Sequence, residues 1–583
     1  MQISFLEALL IALAAYLGMS PWLFGVGYFT VYRPLIGGTI VGLILGDLRQ
    51  GIAFGAALNA VHLGFVSTGG TLPSDLVTAG YIGTALALVS RLDVDAALAT
   101  FGIPLGVLGG FLWFGRMTLG SWIVHWADAF AAKGDARGVA AINLWAGQGM
   151  LFLLYAVPTF IIVYFGQWGI DRVLALIPTP LIAALSVVGG MLPAVGIGLL
   201  LRSLGRWRRL PYFVVGFLLV TYLKLPILVV SLLGLCAAWL SLQELPKING
   251  GTVDGAPRGV HGIPRRVLRA SWWRWIMFLH ASYNYERLQG LGFAHTMIPV
   301  IEHLYHTAEE RAAALKRHLV FFNTEPQIGA LVPAVVITME ERRAAGADIS
   351  DEAINGVKSG LMGPLAGVGD SLFQGAIVPL LLSLGISLAQ DGSLAGPLLY
   401  TILISALVLG VNYAFWSLGY RLGKVAVSHI LASGWLQAVT ESASIMGMTV
   451  VGGLAATMVQ FSTPASIRVG QAGVSIQTDV LDAILNNLLP LAWTVGVWAL
   501  LNRRLSPLRV IGLLFVLGID LTYLGLAGWS SPPLFSQEWL IFLLGGQGAT
   551  LGTALLHLWP PLLVTVLAVI AGLAQQNKQS KKI

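Results

Sequence analysis

Long stretches of this sequence contain no aspartate, glutamate, lysine or arginine. Two of them, Gly138–Ile170 and Val173–Leu201, exceed the roughly 20 apolar residues that cross a bilayer as a helix. Charged residues make up only 10% of the chain, against about 25% in soluble domains. So few charges exclude an ordinary soluble protein, a disordered chain and a nucleic-acid-binding domain. The sequence therefore predicts an all-α polytopic membrane protein with roughly ten to thirteen hydrophobic segments.

The remaining charges are mostly basic and lie in clusters. The chain has 34 Lys and Arg residues against 27 Asp and Glu residues, for a net charge of +7. Loops rich in Lys and Arg stay in the cytoplasm, so this excess is expected to set the orientation in the membrane. The clusters predicted to be cytoplasmic are Arg202–Arg209, Arg258–Arg274, Arg311–Arg317, Arg503–Arg509 and Lys578–Lys582.

Motifs of common catalytic and metal sites are missing from the sequence. It contains no GxxxxGKS/T phosphate-binding loop, no HExxH and no GxSxG. The single cysteine, Cys236, excludes an intramolecular disulfide and a cysteine metal cluster. We therefore predict no cofactor, no metal and no catalytic residue on this chain.

A segment rich in glycine and proline divides the chain in two. It reads ELPKINGGTVDGAPRGVHGIP from Glu244 to Pro264 and has no helical period, which indicates a flexible linker. The predicted organisation is a membrane domain at 1–243, a cytosolic linker at 244–266, a second domain at 267–533 with a cytosolic helical part at 267–358 and a membrane part at 359–533, and an extra hydrophobic segment with a basic tail at 534–583.

Each half contains a glycine-rich hydrophobic segment with one isolated carboxylate. These segments are Arg33–Gly51, with Asp47, and Gly356–Gly375, with Asp370. In the second, glycines close to Pro364 make a continuous helix unfavourable. Interrupted segments at matching places in two halves indicate a transporter's substrate site, so we predict broken or re-entrant helices there. The alternative is that each aspartate simply caps a helix at the membrane surface.

Polar side chains near these segments are candidate ligands for a hydroxyl-rich molecule. Such a molecule needs side chains that donate and accept hydrogen bonds within a largely apolar site. Uncharged polar residues in membrane helices also serve as contacts between helices, which is the alternative for several of them. The candidates are Asn59, His62, Ser67, Thr68 and Asp75 in the first half, and Asn284, Glu286, Arg287, Gln289, Asn323 and Asp370 in the second.

Several of these stretches resemble one known family of permeases. RPLIGGTIVGLILGD (33–47) and GGMLPAVGIGLLLR (189–202) resemble the IIC subunit of mannose/sorbose-family phosphotransferase-system sugar permeases. The second half resembles the IID subunit more closely. The similar stretches there are SYNYERLQGLGF (282–293), KRHLVFFNTEP (316–326), the run from Thr338 to Asp370, and WLQAVTESASIMG (435–447).

The resemblance implies a fused IIC–IID permease with an elevator-type transporter architecture. A hexose or amino sugar would be held at the junction of the two parts and moved across the bacterial inner membrane. A partner IIB protein, supplied by IIA, would phosphorylate it from a phosphohistidine. The resemblance also implies trimers of the fused unit.

Two other functions stay open from the residues alone. One is a transporter or facilitator that moves sugar unmodified. The other is a membrane scaffold or receptor, because the first half departs from the family pattern at positions such as Asn59 and Ser67.

Overall fold

The computed structural model describes residues 2–20, 27–63, 74–175, 179–204, 207–243, 262–432, 435–469, 472–503 and 505–527. These residues are almost entirely helical. The predicted linker at 244–261 and the predicted C-terminal segment at 534–583 lie outside the described residues, as do Ser67 and Thr68.

The described residues of the first half form thirteen α-helices and four π-helical segments. The α-helices are α1 (Phe5–Met19), α2 (Pro34–Leu45), α3 (Leu48–Val61), α4 (Thr84–Ser90), α5 (Val94–Ala97), α6 (Ile103–Ala131), α7 (Ala136–Ala141), α8 (Gly147–Leu151), α9 (Val157–Ala175), α10 (Thr179–Met191), α11 (Pro193–Leu204), α12 (Leu210–Leu223) and α13 (Ile227–Gln243). The π-helical segments are Thr78–Gly83, Leu98–Gly102, Ile142–Ala146 and Phe152–Ala156, and Trp207–Arg209 forms a 3₁₀ turn.

The second half adds twelve α-helices and one small hairpin among its described residues. The α-helices are α14 (Arg265–Phe278), α15 (Gly290–Leu304), α16 (Ala308–His318), α17 (Pro326–Gly329), α18 (Leu331–Ala344), α19 (Asp351–Gly369), α20 (Val378–Ala389), α21 (Ala395–Ala432), α22 (Trp435–Met458), α23 (Asp482–Ile484), α24 (Leu488–Asn502) and α25 (Pro507–Tyr523). Asp370–Ile377 and Ile476–Leu481 are π-helical, and the antiparallel strands β1 (Ser466–Val469) and β2 (Ala472–Ser475) pair with Ser466 opposite Ser475.

Five helical stretches among the described residues are long and apolar enough to cross a membrane. They are Val94–Ala131, Ala136–Gly166, Ala183–Arg202, Asp351–Ala389 and Ala395–Arg421. A sixth candidate is the pair Ile476–Ile484 and Leu488–Asn502, which is bent by 71°. These stretches agree with the predicted polytopic membrane protein.

The predicted interruption in the first half is a sharp turn between α2 and α3. Gly46 ends α2 with a φ of +78°, in the left-handed region that favours glycine. The Asp47 side chain then accepts a hydrogen bond from Gln50 N at 3.2 Å and caps α3. Asp47 therefore has the capping role that was the alternative to a place in the substrate site.

Glycines let α2 and α3 approach each other closely. A Cβ atom on Gly51 would lie 2.5 Å from Gly38 O, and one on Gly55 would lie 2.5 Å from Pro34 O. Backbone atoms cannot move away as a flexible side chain can. The hairpin of α2 and α3 therefore depends on these glycines.

We expect Gly51→Ala to lower the free energy of unfolding by about 1–3 kcal/mol, because the added methyl group forces the two helices apart. Gly149→Ala is the matched control, since a Cβ atom there meets nothing within 4 Å. Thermal unfolding of both variants in the same detergent measures the difference. Equal melting temperatures would show that the close approach of α2 and α3 is dispensable.

The predicted break at Gly363–Gly369 is wrong. Helix α19 runs through this stretch to Gly369, and the π-helical segment Asp370–Ile377 joins it to α20. A helix that satisfies its own backbone hydrogen bonds is the favoured state at membrane depth, and this preference outweighs the low helix propensity of glycine. Pro364 is accommodated inside the same helix.

A buried ion pair connects three helices of the second half. The Arg317 guanidinium, on α16, donates from Nε to Glu340 Oε1 at 2.7 Å and from Nη2 to Glu340 Oε2 at 3.1 Å. Tyr305 Oη donates to Glu340 Oε2 at 2.6 Å, and Arg317 Nη1 donates to Asp351 Oδ1 at 2.9 Å. Because Glu340 lies on α18 and Asp351 begins α19, the pair fixes α16 against both helices.

The protonation states in this network follow from burial and pairing. Burial disfavours the Glu340 carboxylate, but its hydrogen bonds with His318 and Arg317 outweigh burial and lower the pKa of Glu340. Burial lowers the pKa of His318 to about 4. His318 is therefore neutral at pH 7 and donates from Nε2 to Glu340 Oε1 at 2.9 Å, while its Nδ1 has no partner among the described residues.

The two halves are packed together along an extensive interface. Helix α22 of the second half packs against α12 and α13 of the first, and α20 packs against α3. A side chain on Gly216 would overlap Thr449 O, so α12 and α22 are in close contact. Arg49 Nε also donates to Asp391 O at 3.1 Å, which connects the start of α3 to the turn after α20.

Candidate functional site

A cavity lies between the two halves and takes its wall from both. Its volume, counted as the space open to the centres of water molecules, is about 130 Å³. The first half contributes the end of α1 at Gly18–Ser20, together with Tyr28, Trp113 and Arg116. The second half contributes Trp275, His280, Tyr283, Asn323, Asp370 and Gln374, among others.

Arg116 is the charged residue that the first half places in this wall. It lies in the middle of α6, is only 4% exposed, and has its guanidinium 5.1 Å from the Trp113 ring centre. Its Nη2 donates to His280 O at 2.7 Å, across the boundary between the halves. Its Nε has no hydrogen-bond partner among the described residues.

Hydrogen bonds within the second half fix the segment that forms part of the cavity wall. Gln289 Nε2 donates to Thr324 O at 2.7 Å, and Gln289 Oε1 accepts from Thr324 N at 3.0 Å. Asn323 Oδ1 accepts from Tyr283 Oη at 3.1 Å. These bonds hold the 323–327 segment against the loop that precedes α15.

Other polar groups of the wall have no such partner. The Asp370 carboxylate, the Gln374 amide and Asn323 Nδ2 make no hydrogen bond or ion pair with any described residue. The rings of Tyr28, Trp113, Trp275 and Tyr283 line the same space. The cavity therefore combines unpaired hydrogen-bonding groups with aromatic surfaces.

Of the predicted site residues that the structure describes, three line the cavity: Gln289, Asn323 and Asp370. The predicted first-half residues that the structure describes lie elsewhere. Asn59 Oδ1 accepts from Leu35 N at 3.2 Å, and Asp75 Oδ2 accepts from Tyr155 Oη at 2.9 Å. His62 Nε2 is 2.9 Å from Ser74 Oγ. These bonds join elements of the first half to each other.

The other predicted second-half residues form the outer side of the same loop. Asn284 Oδ1 accepts from the backbone N–H groups of Glu286 and Arg287, so Asn284 shapes the loop itself. Arg287 makes a bidentate pair with Asp128 at 2.6 and 2.7 Å, and Glu286 Oε2 is 2.9 Å from His125 Nε2. Glu286 and Arg287 line a surface groove, Asn284 is buried within the loop, and none of the three lines the cavity.

Sequence reasoning missed Arg116, although a signal was present. Arg116 is the one Asp, Glu, Lys or Arg residue between Asp95 and Asp128, inside a stretch apolar enough to cross a membrane. An ionisable residue at membrane depth is costly and is a functional-site hypothesis by default. Trp113, one helical turn earlier, lies on the same face of α6.

Comparison with known proteins identifies the family. The family model described as the PTS system mannose/fructose/sorbose family IID component matches residues 263–527, and that of the PTS system sorbose-specific IIC component matches residues 5–240. The mannose-specific EIID component of Escherichia coli K12 is 41% identical over 253 residues, which cover 42% of this chain and 89% of that protein. The chain belongs to the mannose/fructose/sorbose family of phosphotransferase-system permeases.

This permease joins a IIC part and a IID part in one polypeptide, as the sequence predicted. Its IIC part is 32% identical over 235 residues to the N-acetylgalactosamine permease IIC component 1 of Escherichia coli K12, covering 40% of this chain and 87% of that protein. A solved complex of the mannose transporter ManYZ with a microcin contains a chain that is 39% identical to this permease. The match covers 46% of this chain and 99% of that chain, with a TM-score of 0.28.

Proposed function

We propose that this permease binds its sugar in the cavity between the IIC and IID parts. The cavity itself carries the proposal, because it presents the unpaired polar groups of Asn323, Asp370 and Gln374 between aromatic rings. Sugar hydroxyls both donate and accept hydrogen bonds, and a mostly apolar site with a few converging polar groups suits such a ligand. The aromatic faces suit the C–H surface of a sugar ring.

The charges around the cavity favour a sugar without net charge. Among the described lining residues, Arg116 and Asp370 carry formal charges, and these are opposite in sign. Of the hexoses and amino sugars that the resemblance implies, a neutral hexose therefore leaves no unbalanced charge in the site.

The membrane arrangement is part of the same proposal. Helices α2 and α3 have 12 and 14 residues, too few to cross a bilayer singly, which supports a re-entrant hairpin. We propose elevator-type movement of the sugar in the bacterial inner membrane and trimers of the fused unit. The proposed first membrane domain is 1–243, and the cytosolic linker is 244–266. The proposed second domain is 267–533, with its cytosolic part at 267–358, and the extra segment is 534–583.

Phosphorylation is assigned to partner proteins. A IIA protein would pass its phosphoryl group to a histidine of IIB, and IIB would transfer it to a sugar hydroxyl as the sugar reaches the cytoplasm. This chain would supply binding and passage, and no phosphohistidine of its own.

Uptake of radiolabelled mannose, fructose, sorbose and N-acetylgalactosamine tests the proposal in cells without other mannose-family permeases. We expect intracellular sugar phosphate only when the partner IIA and IIB proteins are also present. Asp370→Asn should reduce uptake, whereas Asp47→Asn should retain it, because Asp47 caps α3 and an asparagine can do the same. Accumulation of unmodified sugar without the partners would instead identify a facilitator.

A further inference from the structure

Glu325 lies directly behind the cavity wall and is only partly bonded. It is 2% exposed, and its neighbours Thr324, Pro326 and Gln327 line the cavity. Its Oε2 accepts hydrogen bonds from Gln327 N at 3.0 Å and Ile328 N at 2.9 Å. Its Oε1 is buried without any partner among the described residues, as is Oε1 of Gln327, two residues further along the chain.

The end of α19 is packed against this carboxyl group. A Cβ atom on Gly369 would lie 2.6 Å from Glu325 Oε2, so only glycine lets the helix come this close. The next residue is Asp370, whose carboxylate lines the cavity. Two carboxyl groups are therefore adjacent, one in the wall and one behind it.

An ionised Glu325 would be unfavourable in this place. One of its oxygens would be a buried charge without a hydrogen bond, next to a second negative group. Two neighbouring carboxylates resist being ionised together, so one of them keeps its proton. The proton belongs on Glu325 Oε1, because Oε2 already accepts two backbone N–H groups.

We propose that Glu325 is a positioning residue that holds the proton of a two-carboxyl pair with Asp370, and thereby keeps a single negative charge at the sugar site. The inference rests on the proposed sugar site in the cavity. Its consequence is an alkaline limit to sugar binding. When Glu325 loses its proton, the charge balance of Arg116 with Asp370 is lost and a hydroxyl acceptor of the sugar faces a second negative charge.

The pH of this limit follows from the surroundings of Glu325. Burial, against the lowering effect of the Ile328 and Gln327 N–H groups and with a smaller contribution from the charge of Asp370, raises the pKa of Glu325 to about 8. Arg116, His280, Tyr28 and Tyr283 are the other titratable groups that line the cavity.

Among the described residues, several titratable groups on the helices packed against α17 contact residues other than Glu325. On α21, Tyr400 Oη donates to Phe29 O, the Tyr413 ring contacts Trp272, and Tyr420 Oη donates to Glu341. On α18 the charged residues begin at Glu340, near its C-terminal end. On α19, Lys358 Nζ donates to Arg317 O.

Equilibrium binding of radiolabelled mannose, fructose and sorbose to the purified full-length permease, from pH 6.5 to 9.5, tests the proposal. We expect the dissociation constant of the wild-type protein to rise about tenfold per pH unit above about pH 8, as one lost proton requires. Glu325→Gln keeps an acceptor for Gln327 N and Ile328 N and cannot ionise. Its dissociation constant should stay constant over this range.

Infrared spectroscopy gives a readout that does not need sugar. The carbonyl band of a protonated carboxyl group should be present in the wild type, absent in Glu325→Gln, and titrate near pH 8. In Asp370→Asn the pH midpoint of this titration should fall, because the neighbouring negative charge that raises the pKa of Glu325 is gone. An alkaline loss of binding that persists in Glu325→Gln, or a wild type without this band, would overturn the inference while leaving the sugar site intact. A titrating band without sugar binding at any pH would instead overturn the proposed sugar site and, with it, the role of the pair in binding.

Discussion

Glu340→Ala is expected to lower the free energy of unfolding by about 3–5 kcal/mol, the usual cost of removing one partner of a buried ion pair. Without Glu340, the Arg317 guanidinium is left buried, at 2% side-chain exposure, and among the described residues the half-exposed Asp351 is its remaining acidic partner. Tyr305 Oη and His318 Nε2 also lose their acceptor. Thermal unfolding of the detergent-solubilised permease measures the effect.

Asp351→Asn is the matched control because it changes a carboxylate that bonds the same guanidinium from a more exposed position. It should cost no more than about 1 kcal/mol. The double variant Arg317→Ala, Glu340→Ala should cost less than the sum of the two single variants, because neither charge is then left alone. Additive costs would mean that the two side chains stabilise the protein independently.

The membrane class of this protein could be predicted from sequence because it depends on composition and on the length of uncharged stretches. The turn at Gly46–Asp47 was also accessible, since a glycine followed by an aspartate is a common boundary between helices. The break expected at Gly363–Gly369 fails for a physical reason. Glycine lowers helix propensity, but a chain at membrane depth gains more by closing its backbone hydrogen bonds.

The site was predicted less completely than the fold. Asp370, which lines the cavity, was predicted because an isolated carboxylate in a hydrophobic segment is unusual. Asn59 and Asp75 have the same polar character, yet the structure uses them to bond Leu35 N and Tyr155 Oη. Sequence pattern cannot separate these two uses, because the difference lies in which distant segment each side chain meets.

Arg116 shows what the sequence alone could not supply. Its place in an apolar stretch marks it as unusual, but its partner, the carbonyl oxygen of His280, is 164 residues away in the other half. The cavity exists because α6 and the loop before α15 come together. A site shared by two modules becomes visible only when both are folded against each other.

Arg116→Ala is expected to reduce sugar uptake by about 10- to 100-fold, since a hydrogen bond from a charged group contributes about 1.5–3 kcal/mol. The variant removes the cation that balances Asp370 and the bond from Nη2 to His280 O. It also exposes one face of Trp113. Arg116→Lys should recover only part of the uptake, because an ammonium group lacks the planar donors that bond His280 O while stacking on the ring.

Glu286→Gln is the control for this prediction. Glu286 lies in the same loop as Tyr283 and Gln289 but faces the surface groove, where it contacts His125. Sugar uptake by the Glu286→Gln variant should stay within about twofold of wild type, because the change removes only an exposed ion pair that contributes at most about 1 kcal/mol. Full sugar uptake by Arg116→Ala would contradict a sugar site in the cavity. Loss of uptake by Glu286→Gln, in a protein that still inserts and melts normally, would indicate that the sugar binds in the groove.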